Sequence, residues 1–232
     1  HWLDVDTYVV GKSYEAALRS AGGVMAAADA VLDGDVRSAF CLVRPPGHHA
    51  TPGQAMGFCL FNNVAVAAAH LLEARGLNRV AIIDFDVHHG NGTEDIFADD
   101  ERVLMASIFQ HPYYPYSGTD DPARNMFNVP LAGGTGGQGL RAAVEKVWLP
   151  ALEQFKPEMV FFSAGFDAHE EDDMSGLRFR DTDYRWVTEQ VKAVADRYAK
   201  GRIVSMLEGG YALCALGRSV VKHVRVLAGL NG

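Results

Sequence analysis

The sequence predicts a single α/β domain built on a doubly wound parallel sheet. Short apolar runs of strand type alternate with helix-length segments from one end of the chain to the other, and no repeat or linker-like stretch divides them. At 232 residues the chain can bury one large core. A third observation concerns the ends of the apolar runs, which carry acids, histidines and glycines. The carboxyl edge of an open parallel sheet is where such folds bind ligands.

The elements follow in order. Ser13 as N-cap, with Glu15 behind it, opens a helix from about Tyr14 to Leu32 that Gly34 closes. The strand SAFCLVR ends in Arg44-Pro45-Pro46-Gly47, a forced turn that carries His48 and His49. A glycine-punctuated loop, 51–60, holds Gly57 and Phe58, and a helix from about Asn62 to Arg75 follows. The strand Val80-Ala81-Ile82-Ile83 then delivers Asp84, Asp86, His88 and His89 ahead of the turn Gly90-Asn91-Gly92. A short helix (93–98) and the strand Val103 to Ile108 lead into FQHPYYPYSGTDDPARN. This is a long aromatic loop of the kind that walls pockets. A strand is predicted at Phe127 to Leu131 and a helix from about Leu140 to Phe155, kinked by Pro150. The apolar run MVFFSA ends in Asp167 and His169. A helix from about Asp181 to Ala199, the strand RIVSML, the turn Glu208-Gly209-Gly210-Tyr211 and a helix to Leu227 complete the chain.

Composition sets bounds on function. The hydrophobic fraction of 48% and charged fraction of 22% are ordinary for a globular domain. A formal charge of −8 argues against nucleic acid as the main partner. No apolar run approaches the roughly 18 residues that a membrane span needs. Three cysteines, Cys41, Cys59 and Cys214, are odd in number and lack metal-type spacing, which points to free thiols in a reducing, cytoplasmic compartment. The chain begins at His1 without an initiator Met, so an N-terminal segment is expected to be missing. Homo-oligomerisation is left open.

Four strand ends carry chemistry: His48-His49, Asp84/Asp86/His88, Asp167/His169 and Tyr211. Each has a bland reading alone. An Asp at a strand end is often a helix cap, and a lone buried His more often a hydrogen-bonding group than a ligand. Strand ends on one edge of a parallel sheet converge in space, however, and the four together make a site. Oxygen and nitrogen donors in this mix suit a divalent metal.

In order and spacing, RPPGHHA, GFCLFNN, IIDFDVHHGNGTEDIF, SAGFDAH and LEGGY resemble the zinc-dependent histone deacetylase and acetylpolyamine amidohydrolase superfamily, closest to its class II-like bacterial branch. The motifs span residues 38–211. The resemblance implies an arginase-like fold, a single parallel sheet of about eight strands between helical layers. It implies one zinc per chain held by Asp86, His88 and Asp167, with His49 as general base and then acid, His48 beside it, Asp84 and Asn91 orienting His48 and His49, and Tyr211 donating to the oxyanion. His89 gets no ligand role and is expected to be a buried hydrogen-bonding residue. The substrate implied is an acetylated lysine in a protein or peptide, or another acetylated amine, threaded between Phe58 and Tyr114, with Tyr113 or Tyr116 as alternatives to the latter. Gly57 and Gly209 line the same path, and Asp6 stands at the rim or is a solvated carboxylate. Met174, where polyamine-specific relatives carry an acid, favours acyl-lysine, although Glu170 to Asp173 beside it would suit a cationic amine. Structural potassium is implied at two positions: Asp84, Asp86, His88, Ser107 and Ile108, then carbonyls near Phe97, Asp100 and Val103.

Two other readings are weaker. A binuclear manganese ureohydrolase on the same fold needs another acid two residues beyond the ligand histidine, where this chain has Gly90. A non-catalytic binder of acetylated ligands would be expected to lack a ligand, a tandem histidine or the tyrosine, and all are present.

Overall fold

The computed structural model describes residues 1–230. Six strands form one sheet: β1 (Ser38–Cys41), β2 (Val80–Asp84), β3 (Val103–Gln110), β4 (Met126–Leu131), β5 (Met159–Ala164) and β6 (Ile203–Leu207). Their order is β1-β6-β5-β2-β3-β4, and every neighbouring pair is parallel. The single parallel sheet is as expected, and the described residues contribute six of the about eight strands that the resemblance implies. The residues contain six strand-type runs and each is used; the larger number came from the resemblance alone.

Parallel strands buried on both faces read as continuous apolar runs, and β2, β5 and β6 are buried at every position. Side chains alternate between the two faces. Ile82 and Phe161 pack with α1 (Ser13–Asp33) and α2 (Asn63–Glu73), near α3 (Asn91–Phe97). Ile83, Phe85 and Phe162 face the opposite layer with Trp148 and Val187. That layer holds α4 (Gly137–Ala143), α5 (Leu149–Phe155), α6 (Asp181–Tyr198) and α7 (Leu213–Leu227). The edge strand β4 tolerates Pro130, which lacks the N–H a central strand would need.

Two helix ends show the local chemistry that sets them, and a third departs from the expected cap. Asn62 caps α2 by accepting the Ala65 N–H at 3.0 Å, and Gly34 ends α1 at φ 85°. Ser13 does not cap α1 forward; its hydroxyl accepts the Val10 N–H at 2.9 Å and ties the helix to the preceding chain. The expected kink at Pro150 takes the form of a π turn, Val144–Trp148, between α4 and α5. Proline has no N–H for the carbonyl four residues back and its ring crowds it, so the ladder shifts. No helix among the described residues is long and apolar enough to cross a membrane.

Candidate metal centre and pocket

The carboxyl ends of β1, β2, β5 and β6 meet at one cavity of about 340 Å³. Its floor is formed by Asp86 and His88, from the turn after β2, with Gly209 from the turn after β6; His48 and His49 stand beside them. Its upper wall is Phe58, Tyr113, Tyr114, Tyr116, Met174 and Tyr211, with Asp6 at the rim.

Asp86, His88 and Asp167 are all buried and offer ligand atoms within 4.8 Å of one another. His88 Nδ1 lies 3.0 Å from Asp86 Oδ1 and 3.4 Å from Asp167 Oδ2. Backbone amides fix both acids. Asp86 accepts the N–H groups of His88 and Gly209, each at 2.8 Å, and Asp167 Oδ1 accepts that of Val87 at 2.9 Å. Asp167 Oδ2 is buried and has no well-aligned donor. Such an orphaned oxygen, facing an imidazole and a second carboxylate, is what a divalent cation would satisfy. Burial and the charge of Asp86 raise Asp167 to about 6, whereas His48 and His88 hold Asp86 low against its burial. Gly209 is required here because a Cβ would overlap both carboxylates.

The tandem histidines have opposite surroundings. The His48 and His49 rings are 4.0 Å apart. His48 Nδ1 donates to Asp84 Oδ2 at 2.9 Å, and although burial pulls it down, Asp84 and Asp86 push it up to about 10. His49 Nδ1 is 2.8 Å from Asn91 Oδ1, which can only accept. The ring proton is therefore on Nδ1 and the Nε2 lone pair is free. Burial, then the charge of His48, hold His49 well below the usual histidine range. Glu208, which sequence reasoning passed over, ties this turn to β6. Its Oε2 accepts the Gly47 and His48 N–H groups at 2.7 and 3.2 Å, and burial raises its carboxyl to about 7.

All three loop tyrosines line the cavity, not Tyr114 alone. Tyr113 stacks on His88 at 5.6 Å and Tyr114 meets His49 edge-on at 5.2 Å. Phe58 faces Tyr211 at 6.5 Å. Burial and the charges of Asp167 and Asp86 push the Tyr211 hydroxyl far up, so it remains a donor. Gly57 presses on the His49 ring, where a Cβ would overlap it. Asp6, at the rim, also holds the wall together. Its Oδ1 accepts the Gly57 N–H at 3.0 Å and the Thr7 hydroxyl at 2.9 Å, which clamps the Gly57-Phe58 turn.

His89 is buried outside the ligand set. Nδ1 meets Ser117 Oγ at 2.8 Å and Nε2 lies 2.6 Å from Glu94, which fastens the aromatic loop to α3. His169 likewise bonds Asp181 at 3.0 Å and takes no part in the cavity. At the first expected potassium position, Ser107 donates to Asn128 at 2.8 Å and Asp84 Oδ1 accepts the Asp86 N–H at 3.1 Å; Ile108 is buried in β3. At the second, the carbonyls of Phe97, Asp100 and Val103 do converge, but on the Asn125 side-chain amide, at 2.7, 3.1 and 3.0 Å.

The sequence profile of the histone deacetylase domain matches residues 2–227. A histone deacetylase-like amidohydrolase of Pseudomonas aeruginosa is 43% identical over 217 residues, 90% of this chain and 57% of that protein. Histone deacetylase 14, chloroplastic, of Arabidopsis thaliana is 40% identical over 234 residues, 96% of this chain and 55% of that protein. The crystal structure of the HDA15 HD domain superposes with a TM-score of 0.93 at 36% identity, over 100% of this chain and 67% of that one. The chain spans little more than half the length of these two curated relatives.

Proposed function

The chain belongs to the histone deacetylase family, and from that premise we propose that it is a zinc-dependent amidohydrolase removing acetyl groups from the ε-amine of lysine in proteins or peptides. One observation carries the reading: Asp86 and His88 line the cavity with the buried Asp167 in ligand reach of both, and His49, held low by burial, and Tyr211, held high by burial, line the same cavity. One zinc ion would be held by these three side chains, leaving coordination open. When bound, it supplies Lewis acidity toward the amide carbonyl and toward water.

The chain's own groups do the rest. His49 takes the proton of the attacking water at its free Nε2 and returns it to the departing amine. Asn91 keeps Nδ1 protonated throughout. His48 stays cationic against Asp84, which keeps His49 from protonating early. The Tyr211 hydroxyl donates to the carbonyl oxygen as negative charge develops on it. Phe58 and the loop tyrosines exclude water along the aliphatic chain of the substrate.

The acids around Met174 weigh against a polyamine substrate. Glu170 pairs with Arg180 and Glu171 with Arg218, and Asp172 is taken up by backbone N–H groups. Asp173 is then the one acid of that run left exposed without such a partner to attract a second amine. A cytoplasmic setting belongs to the same reading and is supported by three free thiols. The test is to compare initial rates on an acetyl-lysine peptide and on acetylputrescine with the zinc-loaded protein. Faster turnover of the peptide is expected. Preference for acetylputrescine would overturn the substrate assignment but leave the amidohydrolase reading intact.

A further inference from the structure

Asp172 lies five residues beyond Asp167, in the run Glu170-Glu171-Asp172-Asp173, and nothing in that run marks it out. Glu170 and Glu171 behave as surface acids with arginine partners. Asp172 instead turns inward and is 5% exposed. Its Oδ2 accepts two consecutive backbone N–H groups, Tyr211 at 2.7 Å and Ala212 at 2.9 Å. Its Oδ1 accepts the Met174 N–H at 3.0 Å, and its own N–H donates to the His169 carbonyl at 2.9 Å. One carboxylate thus joins the loop that carries Asp167 and Met174 to the turn that carries Tyr211.

That turn has little stiffness of its own. Gly209 and Gly210 precede Tyr211, and Gly210 sits at φ 139°, a conformation that residues with a side chain rarely adopt, so no side chain of its own braces the turn there. Ala212, the residue before α7, offers no side-chain cap. Without Asp172 the Tyr211 and Ala212 N–H groups would lose their acceptor, and the phenol would lose the tie that fixes its distance from the floor of the cavity. A remote helix cap would account for the Ala212 bond alone. It does not account for the shorter bond to Tyr211, outside the helix, nor for the bond to Met174 in the cavity wall.

We propose that Asp172 is the positioning residue for Tyr211, holding its hydroxyl over the metal ligands by clamping its backbone to the Asp167 loop; this rests on Tyr211 acting as the oxyanion donor. Asp172→Asn is nearly isosteric but has one accepting oxygen instead of two. It should lower kcat on an acetyl-lysine peptide about 10- to 100-fold, as expected for a displacement of a catalytic donor by about an ångström, while KM changes by less than about threefold. In a Tyr211→Phe background the same change should have almost no further effect, because the group it positions is gone. Hydrogen–deuterium exchange of the peptide spanning residues 208–213 should accelerate. An equal loss in both backgrounds, a change in KM alone, or unchanged exchange would each overturn the proposal. If the asparagine variant does not fold, Asp172→Ser supplies the same comparison. A wild-type protein that binds zinc and turns over nothing would sink the deacetylase reading, whereas the exchange result would still decide the clamp.

Discussion

His48 and His49 are chemically identical neighbours that the fold drives in opposite directions, and the difference lies in one atom of each partner. Asp84 brings a negative charge to His48; Asn91 brings only a dipole to His49. Burial disfavours the charged form of both, so the carboxylate decides which ring keeps its proton. This separation favours the cation on His48 and the neutral ring on His49, and the neutral ring is the one whose Nε2 is free. His49→Ala and Tyr211→Phe should therefore each lower kcat by at least about 100-fold with zinc content unchanged, measured by steady-state kinetics and metal analysis. Loss of metal in either variant would show that the side chain supports the ligands instead. Gly209 acts at the same scale. Gly209→Ala should weaken zinc binding by about 10- to 100-fold in a competition titration, because the added Cβ displaces both Asp86 and Asp167. These roles were only partly legible in the sequence. The histidine pair, Asp86, His88 and Tyr211 announce themselves by residue type at strand ends. Glu208, Asp172 and Asn125 act by accepting from or donating to backbone groups far along the chain, and backbone partners leave no pattern in side-chain identity.

At the scale of elements, the apolar runs were legible because a strand covered on both faces has no room for polar alternation, and each of the six runs became a strand. The edges were less so. SAFCLVR pairs only over Ser38–Cys41, since β1 has one neighbour, β6, and Leu42 beyond it is largely exposed. The join of β6, α6 and α7 depends on a residue that periodicity reads only as polar. His223 is fully buried on α7, with Nδ1 at 2.7 Å from Thr188 Oγ1 and Nε2 at 2.9 Å from Ser205 Oγ. The Thr188 hydroxyl already donates to the Tyr184 carbonyl, so it accepts from His223 Nδ1, and Nε2 accepts from Ser205. Burial pushes this imidazole down to about 3 from an ordinary 6.5. The unfolded chain takes up a proton here as pH falls below about 6.5 and the folded chain does not until about 3. The contribution to stability is therefore intact above that window and lost on acidification through it, by about 1.4 kcal/mol per pH unit at most. Denaturant unfolding across pH 4–7 should show a shallower acid slope in His223→Asn than in the wild type. Equal slopes would place the titration elsewhere.

For the whole molecule, the path of the chain through the sheet is what assembles the site. The chain starts at the β1 edge, jumps to the centre with β2, runs outward through β3 and β4, then returns to fill β5 and β6 between β2 and β1. The turns after β1, β2, β5 and β6 thereby become neighbours, and residues as distant as His48 and Tyr211 share one cavity. Convergence on the carboxyl edge could be read from the alternation of strands and helices; the strand order could not, because it depends on which face each crossover helix covers. On the proposed reading, the Asp86, His88 and Asp167 cluster makes this cavity a zinc amidohydrolase site. The most direct test is to titrate the metal-free protein with zinc while measuring acetate released from an acetyl-lysine peptide. No release is expected without metal, and with it a rate that rises to a plateau at one zinc per chain. A protein that binds one zinc and releases no acetate from the peptide or from acetylputrescine would contradict that reading.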